Sequence, residues 1–132
     1  DAAMTMAVTY ARERVAFGQR IGRYQAVKHK AADMYVKQQL AVAHAMHGAW
    51  AFAADAPELR QAAAAARTAS LDALTFTAEE NVQIHGGIGF TWESDCQFYY
   101  RRARALSAGL GSRGFWSERL GRALEQRNAE TA

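Results

Sequence analysis

Two long stretches of helical periodicity, joined by a short break, restrict the possible folds of this chain more than any other feature of its sequence. The first runs from about Gln25 to Ala54, and the second from about Pro57 to Ile84. In both stretches, apolar residues recur three and four positions apart. Pro57 is compatible with the first turn of a helix but not with its interior. Because the link is so short, the sequence predicts an antiparallel helical hairpin.

The flanking segments extend this hairpin into a bundle. Residues 3–14 show a further apolar helical stripe. An Arg-rich helix is predicted after Ser94, which forms a capping-box pattern with Gln97, and Ser112 can cap a last helix. We find no convincing strand alternation and no linker that would divide the chain. The fold class predicted for residues 1–132 is therefore all-α: a single domain, an up-and-down four-helix bundle with a short extra C-terminal helix.

Composition narrows the possible functions. Half of the 132 residues are hydrophobic, which is enough for a core, and the single cysteine, Cys96, fits a reducing compartment. No apolar run approaches the roughly 20 residues of a membrane span, and no signal-peptide pattern is present. The net charge is +3, with acids interspersed among the arginines. We therefore expect a cytoplasmic protein with no membrane or nucleic-acid partner and no metal site.

A glycine-rich segment, NVQIHGGIGFTWE at residues 81–93, follows the second long helix. Gly86 and Gly87 suit the end of a helix, where the first residue past the end often takes a left-handed conformation. Three glycines in four positions also let a ligand or another chain approach the backbone. The spacing differs from the dinucleotide fingerprint GxGxxG, and no strand precedes it. From the residues alone, the segment is either a plain helix-ending turn or a ligand loop.

The segment after the first helix, FGQRIGRY at residues 17–24, is a short loop that contains two glycines. Phe17, Ile21 and Tyr24 make it too apolar for a free tether. We therefore expect this loop to pack against something.

Two motifs in this order resemble the C-terminal helical domain of the acyl-CoA dehydrogenases. The first is YARERVAFGQRIGRYQ at residues 10–25, followed by AADM at 31–34. The second is QIHGGIGFTWE at 83–93, followed by the Arg-rich helix. The resemblance covers about Ala3 to Leu124. It implies that the chain is the last domain of a three-domain protein, without its N-terminal helical and middle β domains, and that subunits form a homo- or hetero-oligomer through the bundle.

The resemblance further implies an FAD site shared between subunits. It matches the family's cofactor-lining positions to six residues of this chain: Arg14, Phe17, Gln25, Gln83, Gly86 and Gly87. The arginine would contact the FAD pyrophosphate, since a guanidinium forks onto phosphate oxygens with two parallel donors. Gln83 and the glycines would lie against the adenosine half.

Three of the residues in these motifs also have simpler interpretations. Arg14 alone is compatible with a surface salt bridge, and Phe17 with a core anchor. We expect His85 to pack or hydrogen-bond at the helix end rather than to act as an acid or base.

The implied activity is the α,β-dehydrogenation of an acyl-CoA thioester. This chemistry needs a carboxylate close to the carbon next to the thioester, with its pKa raised by a dry site. The family's usual Glu-Gly-Thr or Glu-Gly-Ser loop aligns with residues 110–112, so that Leu110 takes the place of the glutamate. A leucine side chain cannot accept a proton. We therefore name no catalytic residue and expect the isolated chain to be inactive.

Three explanations for Leu110 remain open. The base lies upstream of Asp1, or the chain belongs to a non-catalytic assembly subunit of a heteromeric enzyme, or the alignment is shifted. No acidic residue lies between Asp95 and Glu118, so a shifted alignment would not supply the missing base. The acyl group also remains open, with fatty, branched-chain, aromatic and steroid side-chain thioesters as candidates.

Overall fold

In the computed structural model, which describes residues 1–131, five α-helices make up most of the chain. They are α1 (Ala2–Glu13), α2 (Gln25–Ala53), α3 (Leu59–His85), α4 (Cys96–Gly109) and α5 (Arg113–Thr131). The predicted all-α class is confirmed. Ala132, the last residue of the predicted domain 1–132, lies outside the described residues.

Three short elements supplement the helices. An antiparallel ribbon pairs β1 (Val15–Ala16) with β2 (Gln19–Arg20), and 3₁₀ segments occupy Ile21–Arg23 and Gly86–Phe90. The ribbon was not predicted, because two residues per strand are too few to produce an alternating pattern.

The break between α2 and α3 is closed by the chain's own backbone. The N–H of Ala56 donates to the carbonyl of Ala51 at 2.9 Å, and that of Asp55 donates to the carbonyl of Phe52 at 3.3 Å. These two bonds form a Schellman motif, with Asp55 in the left-handed conformation at φ 46°. The predicted hairpin is confirmed, although α3 begins at Leu59, two residues later than expected.

Helix α3 lies at the centre of the bundle and packs against each of the other four helices. Its approach to α2 is close at Gly48. A Cβ built there would lie 3.4 Å from the Cβ of Ala66 and 3.6 Å from the carbonyl oxygen of Ala62. Small side chains on both helices therefore allow their axes to come near each other.

The hydrophobic core lies where α1, α2 and α3 meet. Its buried members are Ala7, Ala11, Met34 and Ile84. Tyr10 and Ile21 pack against it and are half-buried. This core supports the end of the bundle at which α1 and α3 both terminate.

Of the two predicted N-caps, the one at α5 is formed and the one at α4 is not. Ser112 caps α5, since its Oγ accepts the N–H of Phe115 at 3.2 Å. At α4 the N-cap is Asp95 rather than the predicted Ser94. The Ser94 Oγ accepts the N–H of Cys96, two residues on, at 3.3 Å, whereas a capping box would pair it with the N–H of Gln97.

The last helix is longer than the short one predicted. Helix α5 has 19 residues and packs along α3. An ion pair between Arg113 and Asp72 fixes its start, and a hydrogen bond of 3.2 Å from Arg127 to Gln61 joins its far end to α3. These contacts with α3 explain why the helix continues through a polar sequence.

Candidate functional site

The candidate site lies where α1 and α3 end side by side. Two contacts mark the seam between these helices. The Nδ2 of Asn81 donates to the Sδ of Met6 at 3.6 Å, and the rings of His85 and Tyr10 stack with centroids 4.1 Å apart. The second pair is four residues further along both helices, which is about one turn. Helices α1 and α3 therefore run in the same direction along this seam.

Arg14 follows Tyr10 by one more turn, at the point where α3 has already ended. Its N–H donates to the carbonyl of Tyr10 at 2.8 Å, and its carbonyl accepts the N–H of Ile21 at 2.8 Å. The backbone of Arg14 is thus held on both sides, while its side chain is exposed. Within residues 1–131, no ion pair to Arg14 is formed. An exposed guanidinium without an acidic partner is available for an anion.

The loop after α1 packs only in part as predicted. The hydroxyl of Tyr24 donates to the carbonyl of Ala16 at 3.0 Å, and Ile21 contacts the core. Phe17, in contrast, is 96% exposed at the tip of the ribbon. The interpretation of Phe17 as a core anchor is therefore wrong, because neither strand of so short a ribbon covers its tip.

Helix α3 ends at the paired glycines, as predicted. Gly86 has φ 64° and ψ −139°, a conformation that is essentially restricted to glycine. Gly89 is required by packing, because a Cβ there would lie 2.6 Å from the carbonyl oxygen of Val82. Gly87 needs neither explanation: its φ is not positive, and a Cβ would meet nothing within 4 Å. The fold of this chain therefore leaves the missing side chain of Gly87 unexplained.

A shallow cavity of about 350 Å³ joins the two helix ends. It is lined by Tyr10, Arg14, Ala16, Ile21, Ile84, His85, Gly87 and Ile88. The structure thus brings together two of the predicted site residues, Arg14 and Gly87, which are distant in sequence.

The other predicted residues do not line this cavity. Gln83 borders a second cavity of about 430 Å³, together with Val82, Gly89 and Phe90. Gln25 is the exposed first residue of α2, and Phe17 projects from the ribbon.

Among the cavity residues that were not predicted as site residues, two carry polar rings, Tyr10 and His85. Tyr10 was recognised only as part of a motif, and His85 was interpreted as a packing residue. Their positions one turn before Arg14 and directly before Gly86 were the available signals, but only the fold shows that their rings meet.

His85 packs and hydrogen-bonds at the helix end, which confirms its predicted role. Its Nδ1 lies 2.8 Å from the backbone carbonyl of Asn81, and the residue is 8% exposed. Because a carbonyl can only accept, Nδ1 carries the proton in this contact. Cys96 also lies near this carbonyl, with its Sγ at 3.9 Å. Burial raises the pKa of the Cys96 thiol, so the group is a poor nucleophile.

The loop around Leu110 is firmly held but carries no acid. The indole Nε1 of Trp116 donates to the carbonyl of Leu110 at 2.7 Å, and Ser112 caps the following helix. The side chain of Leu110 is 61% exposed. The nearby carboxylate of Asp72 is paired with Arg113 and is therefore not a free base.

The part of the chain that the structure describes offers neither a metal site nor a membrane-spanning helix. Residues 1–131 contain no group of three His, Cys, Asp or Glu side chains that could hold a metal ion. None of their helices is both long and apolar enough to cross a membrane.

Fold and site together define a helical bundle domain with a basic, glycine-lined surface at the shared end of two helices. The model of the family "Acyl-CoA dehydrogenase, C-terminal domain" matches residues 1–125. The chain therefore belongs to the acyl-CoA dehydrogenase family, as the sequence motifs predicted.

Individual relatives agree with this assignment. The chain is 42% identical over 115 residues to the acyl-CoA dehydrogenase FadE34 of Mycobacterium tuberculosis, a match that covers 86% of this chain and 16% of FadE34. A solved variant of the Tcur3481–Tcur3483 steroid ACAD superimposes with a TM-score of 0.90 and 25% identity, over 96% of this chain and 35% of that one. The ChsE4–ChsE5 complex of M. tuberculosis gives 0.86 and 28%, over 93% and 33%. The chain thus spans only a minor part of each relative.

Proposed function

We propose that this chain is the C-terminal domain of an FAD-dependent acyl-CoA dehydrogenase and that it supplies part of an FAD site shared between subunits. In this proposal it is the last of three domains. The observation that carries the proposal is the cavity lined by both Arg14 and Gly87. An unpaired guanidinium suits a phosphate group, and an open glycine backbone at the end of the neighbouring helix lets the rest of the cofactor approach.

The remaining site residues have roles that fit the same cofactor. Gly86 and Gly87 allow the adenosine end to approach the backbone of α3, since no Cβ stands between them. Phe17 offers an exposed aromatic face from the ribbon tip. Gln25 and Gln83 are exposed, so their amides are available for hydrogen bonds to the cofactor. When bound, FAD supplies an acceptor for the hydride that leaves the β-carbon of the thioester.

The proposal is tested by FAD titration into the apo form of the complete protein. Arg14→Ala should weaken FAD binding roughly 10- to 100-fold, because a charge-assisted hydrogen bond contributes about 1.5–3 kcal/mol. Arg12→Ala is the matched control, since it removes the same charge from an exposed position of α1. If both variants bind FAD as tightly as the parent, the assignment of Arg14 to the cofactor is wrong.

A second candidate function is a non-catalytic assembly subunit of a heteromeric acyl-CoA dehydrogenase. It is favoured by the Leu110 loop, which is well held but offers no proton acceptor. The lead candidate is an active enzyme whose base is supplied by another part of the protein. In both cases the substrate class is an acyl-CoA thioester, and one solved relative is named a steroid ACAD. Fatty, branched-chain, aromatic and steroid thioesters are therefore the classes to assay.

Oligomer assembly through the bundle is supported by an apolar band on α2. The band consists of Tyr35, Val42, Met46 and Trp50, which are 46–69% exposed. At 100° per residue these side chains fall within one narrow stripe that is roughly 22 Å long. We propose that a helix of a second subunit, identical or related, covers this band. The ChsE4–ChsE5 relative is a complex of two different proteins.

The cytoplasmic location and the lack of membrane and nucleic-acid partners stay predictions.

A further inference from the structure

We propose that Tyr10 and His85 are positioning residues for the cofactor, which set the spacing between Arg14 and the paired glycines. This inference rests on the proposed FAD site. It adds two side chains that would not bind FAD directly: the effect of Tyr10 would pass through Arg14, and that of His85 through the paired glycines.

The seam between α1 and α3 supplies the first argument. The Tyr10 and His85 rings are stacked with centroids 4.1 Å apart and planes inclined by 23°. This is the last side-chain pair before α3 ends at His85. Beyond it, α1 ends at Glu13 and is followed by Arg14, and α3 gives way to Gly86 and Gly87. The stacked rings therefore lie directly before both parts of the site, Arg14 after α1 and the paired glycines after α3.

The backbone of each of the two residues also leads directly to the residue that it positions. Tyr10 accepts the N–H of Arg14 through its carbonyl at 2.8 Å, so the last turn of α1 carries Arg14 with it. The ring of His85 is fixed by its Nδ1–H bond to the Asn81 carbonyl, and His85 is bonded directly to Gly86. A change in the ring spacing would therefore move Arg14 relative to the glycines.

The hydroxyl of Tyr10 is not required by this role. The stack depends on two aromatic faces, which Phe would preserve at position 10. The alternative is that the Tyr10 hydroxyl itself binds the cofactor, since Tyr10 also lines the cavity. Tyr10→Phe separates the two: it keeps the ring and removes the hydroxyl.

The test is a double-mutant cycle read out as the Kd for FAD in the complete apo protein. Tyr10→Leu should weaken FAD binding roughly three- to tenfold, the effect expected from an aromatic pair. Tyr10→Phe should bind FAD like the parent. In the Arg14→Ala background, Tyr10→Leu should have no further effect, because the residue through which it acts is already removed. If Tyr10→Leu does not fold, His85→Leu gives the corresponding cycle with Gly87→Ala, because His85 leads directly into the paired glycines.

The outcomes separate this inference from the proposed function. If Arg14→Ala alone leaves the Kd for FAD unchanged, the assignment of Arg14 falls and the positioning role falls with it. If Arg14→Ala weakens binding but the effects of Arg14→Ala and Tyr10→Leu are additive, only the positioning role is overturned. A loss of FAD affinity in Tyr10→Phe would also overturn it, in favour of direct contact by the hydroxyl.

Discussion

Gly87 and Gly89 are two residues apart, and the structure predicts opposite consequences for their substitution by alanine. A Cβ at Gly89 would lie 2.6 Å from the carbonyl oxygen of Val82 and 3.1 Å from the Cβ of His85. A relaxed carbon–oxygen contact needs about 3.3 Å or more, so the overlap is about 0.7 Å. The atoms that would have to move belong to the last turn of α3. The methyl group therefore cannot be accommodated by a side-chain rotation.

The magnitude follows from this overlap. Overpacking of this kind costs about 1–3 kcal/mol. A domain of this size loses about 4 °C in Tm per kcal/mol. Gly89→Ala should therefore lower the Tm of the 132-residue chain by about 4–12 °C. Gly87→Ala should leave the Tm unchanged or raise it slightly, because a compatible glycine-to-alanine change contributes up to about 1 kcal/mol through the unfolded state.

The two variants should also differ in cofactor binding. Gly87→Ala places a methyl group on the surface proposed for FAD while it leaves the fold intact, so FAD affinity should fall without a loss of stability. Thermal unfolding followed by circular dichroism measures the first quantity, and FAD titration measures the second. The reasoning is refuted if Gly89→Ala unfolds at the same temperature as the parent. It also fails if Gly87→Ala retains FAD at the parent's affinity.

Two further predictions concern assembly and catalysis. Met46→Asp should weaken subunit association about 10-fold or more for each copy of the band, since burial of a Met side chain contributes about 1.5–3 kcal/mol. Analytical ultracentrifugation measures the association constant, and Met46→Leu is the apolar control. An unchanged association constant would exclude Met46 from the interface. Leu110→Glu should give no gain in thioester oxidation if the base is supplied elsewhere in the protein. A gain of about 10²–10⁴-fold, typical of a positioned base, would instead identify the chain as a non-catalytic subunit.

Local sequence rules accounted for the presence of the helices and for several of their ends. Pro57 and the residues before it predicted the break of the hairpin, and Gly86 predicted the end of α3. These features depend on backbone conformation within a few residues, which residue type alone restricts strongly. The same holds for Ser112, whose hydroxyl caps the helix that begins next to it. The family motifs added the candidate site residues, because they are contiguous in sequence.

Only the tertiary structure decided which residues meet. The stack of Tyr10 on His85 joins positions that are 75 residues apart, and no local pattern marks such a pair. The difference between Gly87 and Gly89 is also tertiary in origin, since it depends on whether the turn of α3 lies next to the missing Cβ. Phe17 was expected to pack and is exposed, because the ribbon that carries it extends beyond the core. The sequence by itself therefore determined the helices and the residue types of the site, while the packing of α1 against α3 decided its geometry.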